Sequence, residues 1–173
     1  MGFIMMGLFK DWGFTAESWQ GKRGEYWVLV QGILILGFAV LPIRHLGPIP
    51  QPPVVYGVWA IAAILGFVGI TLFTQGLVDL GQNLTPLPHP RQDGKLIQTG
   101  VYAWVRHPVY GGVIFVAIAW AFYQWSLWHA IGAIGLFIFL DAKARQEETW
   151  LTQKHPDYES YRQQVKKLIP WVY

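Results

Sequence analysis

Seven residues, Arg106-His107-Pro108-Val109-Tyr110-Gly111-Gly112, open a long apolar run, and forty positions after His107 two carboxylates, Glu147 and Glu148, stand side by side. An imidazole, a guanidinium, a phenol and paired carboxylates are the groups that move protons and hold charged or hydroxylated ligands. They are also costly to bring near hydrocarbon. Their position at the mouths of two apolar segments therefore points to an active site at a membrane edge.

Each residue also has a plainer reading. Arg106 serves equally as a topology determinant at a membrane end, and Tyr110 as an interfacial anchor. Glu147 and Glu148 are about 100° apart on a helix. One of them faces a site while the other meets solvent or pairs with Lys143 or Lys154, and spacing does not say which. Gly100 and Gly111 suit close approach to a ligand, a turn or helix packing. Asn83, Gln75 and Gln82, near the end of the second apolar run, are candidates to touch a substrate head group. No metal centre is expected, because His45, His89, His129 and His155 lack ligand spacing and the chain has no cysteine.

The elements that must carry these groups are membrane helices. Of 173 residues, 53% are hydrophobic and only 13% charged, and mean hydropathy is positive, which is unusual for a soluble domain. The net charge of +3 is small and its basic residues are interleaved with acids, so nucleic acid is not an expected partner, whereas a bilayer is.

A helical span needs roughly 20 residues, and residues 26–45 and 54–77 each supply one. The prolines between them, Pro42, Pro48, Pro50, Pro52 and Pro53, force the chain to turn. The third apolar run exceeds one span and is polar at its middle (Gln124, Ser126, His129), so it divides into residues 108–124 and 127–146. With four spans, every Lys and Arg except Arg44 falls on one side, which favours a cytoplasmic site and two cytoplasmic termini. The expectation is an all-α integral membrane protein, one membrane domain over residues 1–173. It comprises an interfacial N-terminal segment (1–25), spans one and two (26–77), a Pro-rich cytoplasmic loop (78–107), spans three and four (108–146) and cytoplasmic C-terminal helices (147–173). Beyond Pro156, the spacing of Tyr158, Tyr161, Val165 and Leu168 predicts one apolar stripe on a short amphipathic helix.

Three ordered motifs make a resemblance specific: Leu96-Ile97-Gln98-Thr99-Gly100-Val101-Tyr102 running on to Arg106-His107-Pro108-Val109-Tyr110-Gly111, then Glu147-Glu148-Thr149-Trp150-Leu151, then Tyr158-Glu159-Ser160-Tyr161 through Val165 to Ile169-Pro170. Over roughly its C-terminal half the chain closely resembles the isoprenylcysteine carboxyl methyltransferase and phospholipid methyltransferase superfamily. The resemblance implies a membrane enzyme that binds S-adenosylmethionine at its cytoplasmic face, beneath the loop and C-terminal helix, and methylates a lipidic or small hydrophobic acceptor. It implies cofactor contacts from Leu96, Gly100, Val101, Tyr102, His107, Tyr110, Glu147 and Glu148, with Arg106, Glu147, Glu148 and Arg162 as catalytic candidates. The chemistry agrees, since the cofactor's carboxylate, ammonium and ribose hydroxyls call for a cation or donor and a carboxylate.

Where the prenylcysteine enzymes carry a basic residue before the valine of the last motif, this chain has Gln164. The acceptor is thereby left open between a carboxylate, which benefits from a cation, and an amine, which must lose a proton. Two other function classes compete: a membrane reductase of the sterol reductase type using a nicotinamide cofactor, and a non-catalytic membrane scaffold.

Overall fold

The computed structural model describes residues 20–91 and 93–173, so residues 1–19 of the expected interfacial segment lie outside it. Its helices are α1 (Glu25–Ala39), α2 (Val54–Leu80), α3 (Pro108–Tyr123), α4 (Leu127–Lys154) and α5 (Tyr158–Gln164), with 3-10 turns at Gly81–Asn83 and Gly100–Ala103. Among the described residues there is no β-strand, only two isolated bridges.

Proline sets several boundaries. Pro53 caps the start of α2, Pro108 occupies the first turn of α3, where its missing N–H costs nothing, and α4 stops at His155, one residue before Pro156. The polar middle of the third apolar run does break it. Trp125 takes a left-handed φ of 48° and the extended Ser126 precedes α4. There the Leu127 N–H donates to the Arg44 carbonyl at 2.7 Å and the Leu46 N–H to the Trp125 carbonyl at 3.0 Å, tying the two turns at that end of the molecule.

α2 and α4 are long and apolar enough to cross a bilayer. At 28 residues, α4 extends about 42 Å, more than the roughly 30 Å hydrocarbon core. Its surplus is the polar end from Arg145 onward. α1 and α3 have 15 and 16 residues, shorter than one perpendicular span. The expected first span, 26–45, thus overruns the observed helix, because residues 41–44 leave helical geometry ahead of the tie to Arg44. The outward faces are apolar: Leu36 is 69%, Phe67 73% and Ile138 61% exposed. Such continuous apolar surface calls for lipid rather than water as its solvent.

α3 is the centre of the packing, touching α2 along one side and α4 along the other, while α1 packs on α4. α1 and α2, adjacent in sequence, therefore lie on opposite flanks. Glycines let α2 and α3 approach closely: a Cβ on Gly112 would stand 2.6 Å from the Gly69 carbonyl oxygen and 2.7 Å from the Phe73 nitrogen. Between α3 and α4, Ile114 and Leu140 pack with Leu168 of the C-terminal segment. The predicted C-terminal stripe is corrected in part. Tyr158 and Tyr161 lie buried on α5, but Val165 has left the helix for extended backbone, and the chain there runs beside residues 105–107.

Because the atoms facing Gly112 are backbone, they cannot give way as a flexible side chain could. Gly112→Ala is expected to destabilise by about 1–3 kcal/mol, whereas Gly32→Ala, with no atom within 4 Å of the added carbon, should be near neutral. Thermal unfolding in detergent checks this; equal melting temperatures for the two variants would contradict the packing.

Candidate active site

Where the polar ends of the helices meet the Pro-rich loop lies a cavity of about 360 Å³. Its apolar part includes Val28 of α1, Phe73, Leu77 and Leu80 of α2, Val109 of α3 and Leu96 and Ile97 of the loop; its polar part includes His107, Tyr110, Lys143, Glu147 and Tyr158, with the cations Arg91 and Lys95 contributed by the loop. Five sequence-predicted site residues besides Leu96 reach this wall: Tyr102, Arg106, His107, Tyr110 and Glu147. Asn83 lines it as well, its carbonyl oxygen accepting the Lys95 N–H at 2.7 Å, while Gln75 and Gln82 are exposed elsewhere.

The two glutamates divide. Glu147 faces the cavity and accepts the Tyr110 hydroxyl at 2.9 Å. Glu148 is buried behind it, and its Oε1 accepts Arg106 Nε at 2.9 Å, Arg106 Nη2 at 2.8 Å and His107 Nε2 at 3.1 Å. Arg106 Nη1 donates to the carbonyls of Arg162 and Val165. The guanidinium therefore joins α4 to the C-terminal segment and spends most of its donors on internal partners. Its pair with Glu148 is only 8% exposed on either side chain. Burial opposes the Glu148 charge, but the His107 hydrogen bond and charge and the Arg106 guanidinium outweigh it, and the carboxyl is held down to about 2.

The ionised Glu148 can only accept, so His107 Nε2 carries the proton of their hydrogen bond. Nδ1 is left 3.7 Å from Glu147, and the ring stacks parallel to Tyr110 at 5.5 Å. Backbone bonds fix the segment: the Arg106 N–H donates to Lys166 at 2.8 Å and the His107 N–H to Lys167 at 2.9 Å. Gly111 permits this approach, since a Cβ there would meet the Leu168 carbonyl at 2.4 Å.

The remaining candidates lie off the wall. Gly100, at φ 62°, and Val101 wrap Asp79, whose Oδ2 accepts the Val101 N–H at 2.8 Å; any Cβ on Gly100 would strike that carboxylate. Arg162 turns outward, 46% exposed and paired with Glu159 at 3.0 Å. His89 lies against Trp150, and no cluster able to hold a metal occurs among the described residues.

Sequence reasoning missed Tyr158, Lys143 and Gln31 as wall residues. Gln31 had a signal, being an isolated polar residue in an apolar helix, and Lys143 had one in standing one turn before Glu147. Tyr158 is marked only as the first residue of the third motif and of the apolar stripe. Its hydroxyl is buried and without a partner among the described residues, and burial together with the Glu148 charge raises the phenol's pKa, so it remains a donor at neutral pH.

Residues 58–157, which run from α2 through the loop, α3 and α4 to the start of α5, match the phospholipid methyltransferase family. The chain belongs to that family. Among solved structures, it is similar to the eukaryotic intramembrane Ras methyltransferase, isoprenylcysteine carboxyl methyltransferase, at 20% identity and a TM-score of 0.60, over 85% of this chain and 52% of that one. At that identity the likeness is one of fold, and the chain spans about half the length of that neighbour. No curated protein matches the sequence. The matched region contains both Arg106-His107 and Glu147-Glu148, so the Arg106–Glu148 clasp and the His107, Tyr110, Lys143 and Glu147 part of the polar wall lie within the phospholipid methyltransferase segment, with Tyr158 one residue beyond it.

A carboxyl held near 2 in the fold and 4.5 ordinarily contributes stability that is complete above the ordinary value and is lost as pH falls through the folded one. Melting temperature should therefore decline as pH falls from about 4.5 toward 2. Arg106→Gln leaves Glu148 buried without its permanent counter-charge and should cost about 3–5 kcal/mol at neutral pH, with acid loss beginning at higher pH. Melting curves in detergent between pH 7 and 2 test both; identical acid profiles for the two proteins would sink the clasp.

Proposed function

We propose that the chain is a membrane methyltransferase that uses S-adenosylmethionine and delivers a methyl group to the head of a lipidic or small hydrophobic acceptor. The observation that carries this reading is one cavity with two chemistries. A wall of Phe73, Leu77, Leu80 and Val109 continues into His107, Tyr110, Glu147 and Tyr158, so one site suits both an apolar tail and a polar cofactor. α1 and α2, which line the cavity but pack on opposite neighbours, leave a flank by which an acceptor enters from the bilayer. The apolar exterior and the basic residues support four spans, with the loop, the site and both ends of the chain at the cytoplasmic face.

The donor set fits the cofactor. Glu147 offers a carboxylate to an ammonium or ribose hydroxyls, and the unpartnered Tyr158 hydroxyl offers a buried donor. The volume of about 360 Å³ lies within the range of small-molecule sites, roughly 300–1,000 Å³. When bound, S-adenosylmethionine supplies a methyl carbon already activated by its sulfonium. The protein has then to align the acceptor with that carbon and keep water away. The apolar wall excludes water. Tyr110, held by Glu147, and His107, held by Glu148, provide rigid polar edges. For an amine acceptor, His107 Nδ1 takes the proton, because Nε2–H is spent on Glu148. Gly100, Val101, Arg106, Glu148 and Arg162 act on the site through the loop and the C-terminal segment.

Purified protein in lipid nanodiscs, given methyl-labelled S-adenosylmethionine and a membrane extract, is expected to place label in an extractable lipid. His107→Ala should reduce that transfer at least about 100-fold while retaining its helical circular dichroism. Thermal stabilisation by a reduced nicotinamide and not by S-adenosylhomocysteine, with no label transferred, would overturn the proposal in favour of a reductase.

A further inference from the structure

Lys143 lies on α4 one turn before Glu147 and is 2% exposed. Its Nζ donates to Gln31 Oε1 of α1 at 2.5 Å and to the Pro86 carbonyl at 3.3 Å, and sits 5.1 Å from the centre of the Tyr110 ring. All three are neutral partners. None of the ion pairs among the described residues includes Lys143, although Glu147 follows it by one turn on the same helix. An ammonium in such a place is costly unless an anion completes its shell. Its position on the cavity wall gives a ligand access to it.

The other buried cation on this wall, Arg106, is bound to Glu148 and two carbonyls. A ligand anion entering the cavity thus meets Lys143 as the buried cation not already held by a carboxylate. Glu147 stands at (i, i+4) from it, so the two charges lie one helical turn apart, about 6 Å along α4.

We propose that Lys143 is the anion-binding residue of this cavity and that with Glu147 it reads the two ends of a zwitterion, Lys143 taking an anionic oxygen and Glu147 an ammonium. The inference rests on the methyltransferase reading and names the ligand chemistry of that site. Two molecules carry the chemistry: the amino-acid end of S-adenosylmethionine, and a lipid head group that joins a phosphate to an amine. Gln31 and Pro86 position Lys143 for either, and the Tyr110 ring shields it without neutralising it.

The test compares Lys143→Met, which keeps the length and removes the charge, with Lys143→Arg, which keeps the charge. Binding is measured in nanodiscs with S-adenosylhomocysteine, which has the amino-acid end, and with 5′-methylthioadenosine, which lacks it. If the zwitterion is the cofactor's, Lys143→Met weakens S-adenosylhomocysteine at least about tenfold, leaves methylthioadenosine unchanged, and Lys143→Arg recovers part of the loss. If it is the acceptor's, both nucleosides bind as before, while KM for phosphatidylethanolamine presented in the nanodisc rises at least about tenfold with kcat held. Unchanged binding and unchanged KM in Lys143→Met would overturn the inference while leaving the methyltransferase reading intact. Failure of the wild-type protein to bind either nucleoside would remove that reading and this inference with it. Should Lys143→Met not fold, Lys143→Gln serves in the same comparisons.

Discussion

The ion pair between Arg106 and Glu148 is the constraint on which the polar end of the molecule depends. Arg106 precedes α3, Glu148 lies on α4, and the carbonyls that fill the rest of the guanidinium belong to α5 and the segment after it. Three pieces of chain distant in sequence are thereby referred to one buried charge. An ion pair with this little exposure gains little net energy over apolar packing, yet either half alone is heavily penalised. Its contribution is therefore to specificity of arrangement: the C-terminal segment docks where its carbonyls meet the guanidinium. The same Glu148 oxygen fixes the His107 ring, and Tyr110 stacks on that ring in turn. The wall of the cavity is thus built outward from a pair of which Arg106 reaches the cavity and Glu148 stands behind it.

That arrangement explains what the sequence could and could not disclose. The division of the third apolar run at Gln124 to His129, the stop before Pro156 and the grouping of Arg106, His107 and Glu147 at one end follow from polarity, proline chemistry and charge asymmetry, all local properties. The roles of the two glutamates do not. Adjacent carboxylates are equivalent in a sequence, and only the approach of Arg106 from 42 residues away decides that Glu148 turns inward while Glu147 meets the cavity. Gly100 and Val101 belong to the motif that carried the family resemblance, but what they do is wrap Asp79, an acid no periodicity singled out. Val165 was assigned to a helix because its spacing fits one. Its N–H still bonds back to the Tyr161 carbonyl, but the Arg106 guanidinium takes its own carbonyl and the next residues, Lys166 and Lys167, pair with Arg106 and His107 in extended form, and an amphipathic pattern cannot register that competition.

The apolar helices impose a second logic. In hydrocarbon there is no aqueous driving force to press helix on helix, so close contact relies on shape and on small residues. Gly69 and Gly112 provide it between α2 and α3, and Ala117 and Ala133 between α3 and α4. α1 lacks any buried residue and leans on α4 through Trp27 and Phe38. It is thus held less firmly than the α2–α3 pair. This asymmetry matters for the cavity, whose wall takes Val28 and Gln31 from that loosely held helix and Phe73, Leu77 and Leu80 from the firmly held one.

Gln31 joins these two levels. A lone amide in the apolar α1 finds its partner in Lys143, and this contact links the least buried helix to the polar wall. Without it, α1 would be held by aromatic edges and van der Waals contact alone near the cavity, and Lys143 would have only a long bond to Pro86 and the face of Tyr110. An anion arriving at Lys143 would compete with Gln31 for the same ammonium protons. Ligand charge and the position of α1 are therefore coupled through one side chain, because an ammonium has three protons to distribute and its nearest partners come from different elements of the wall.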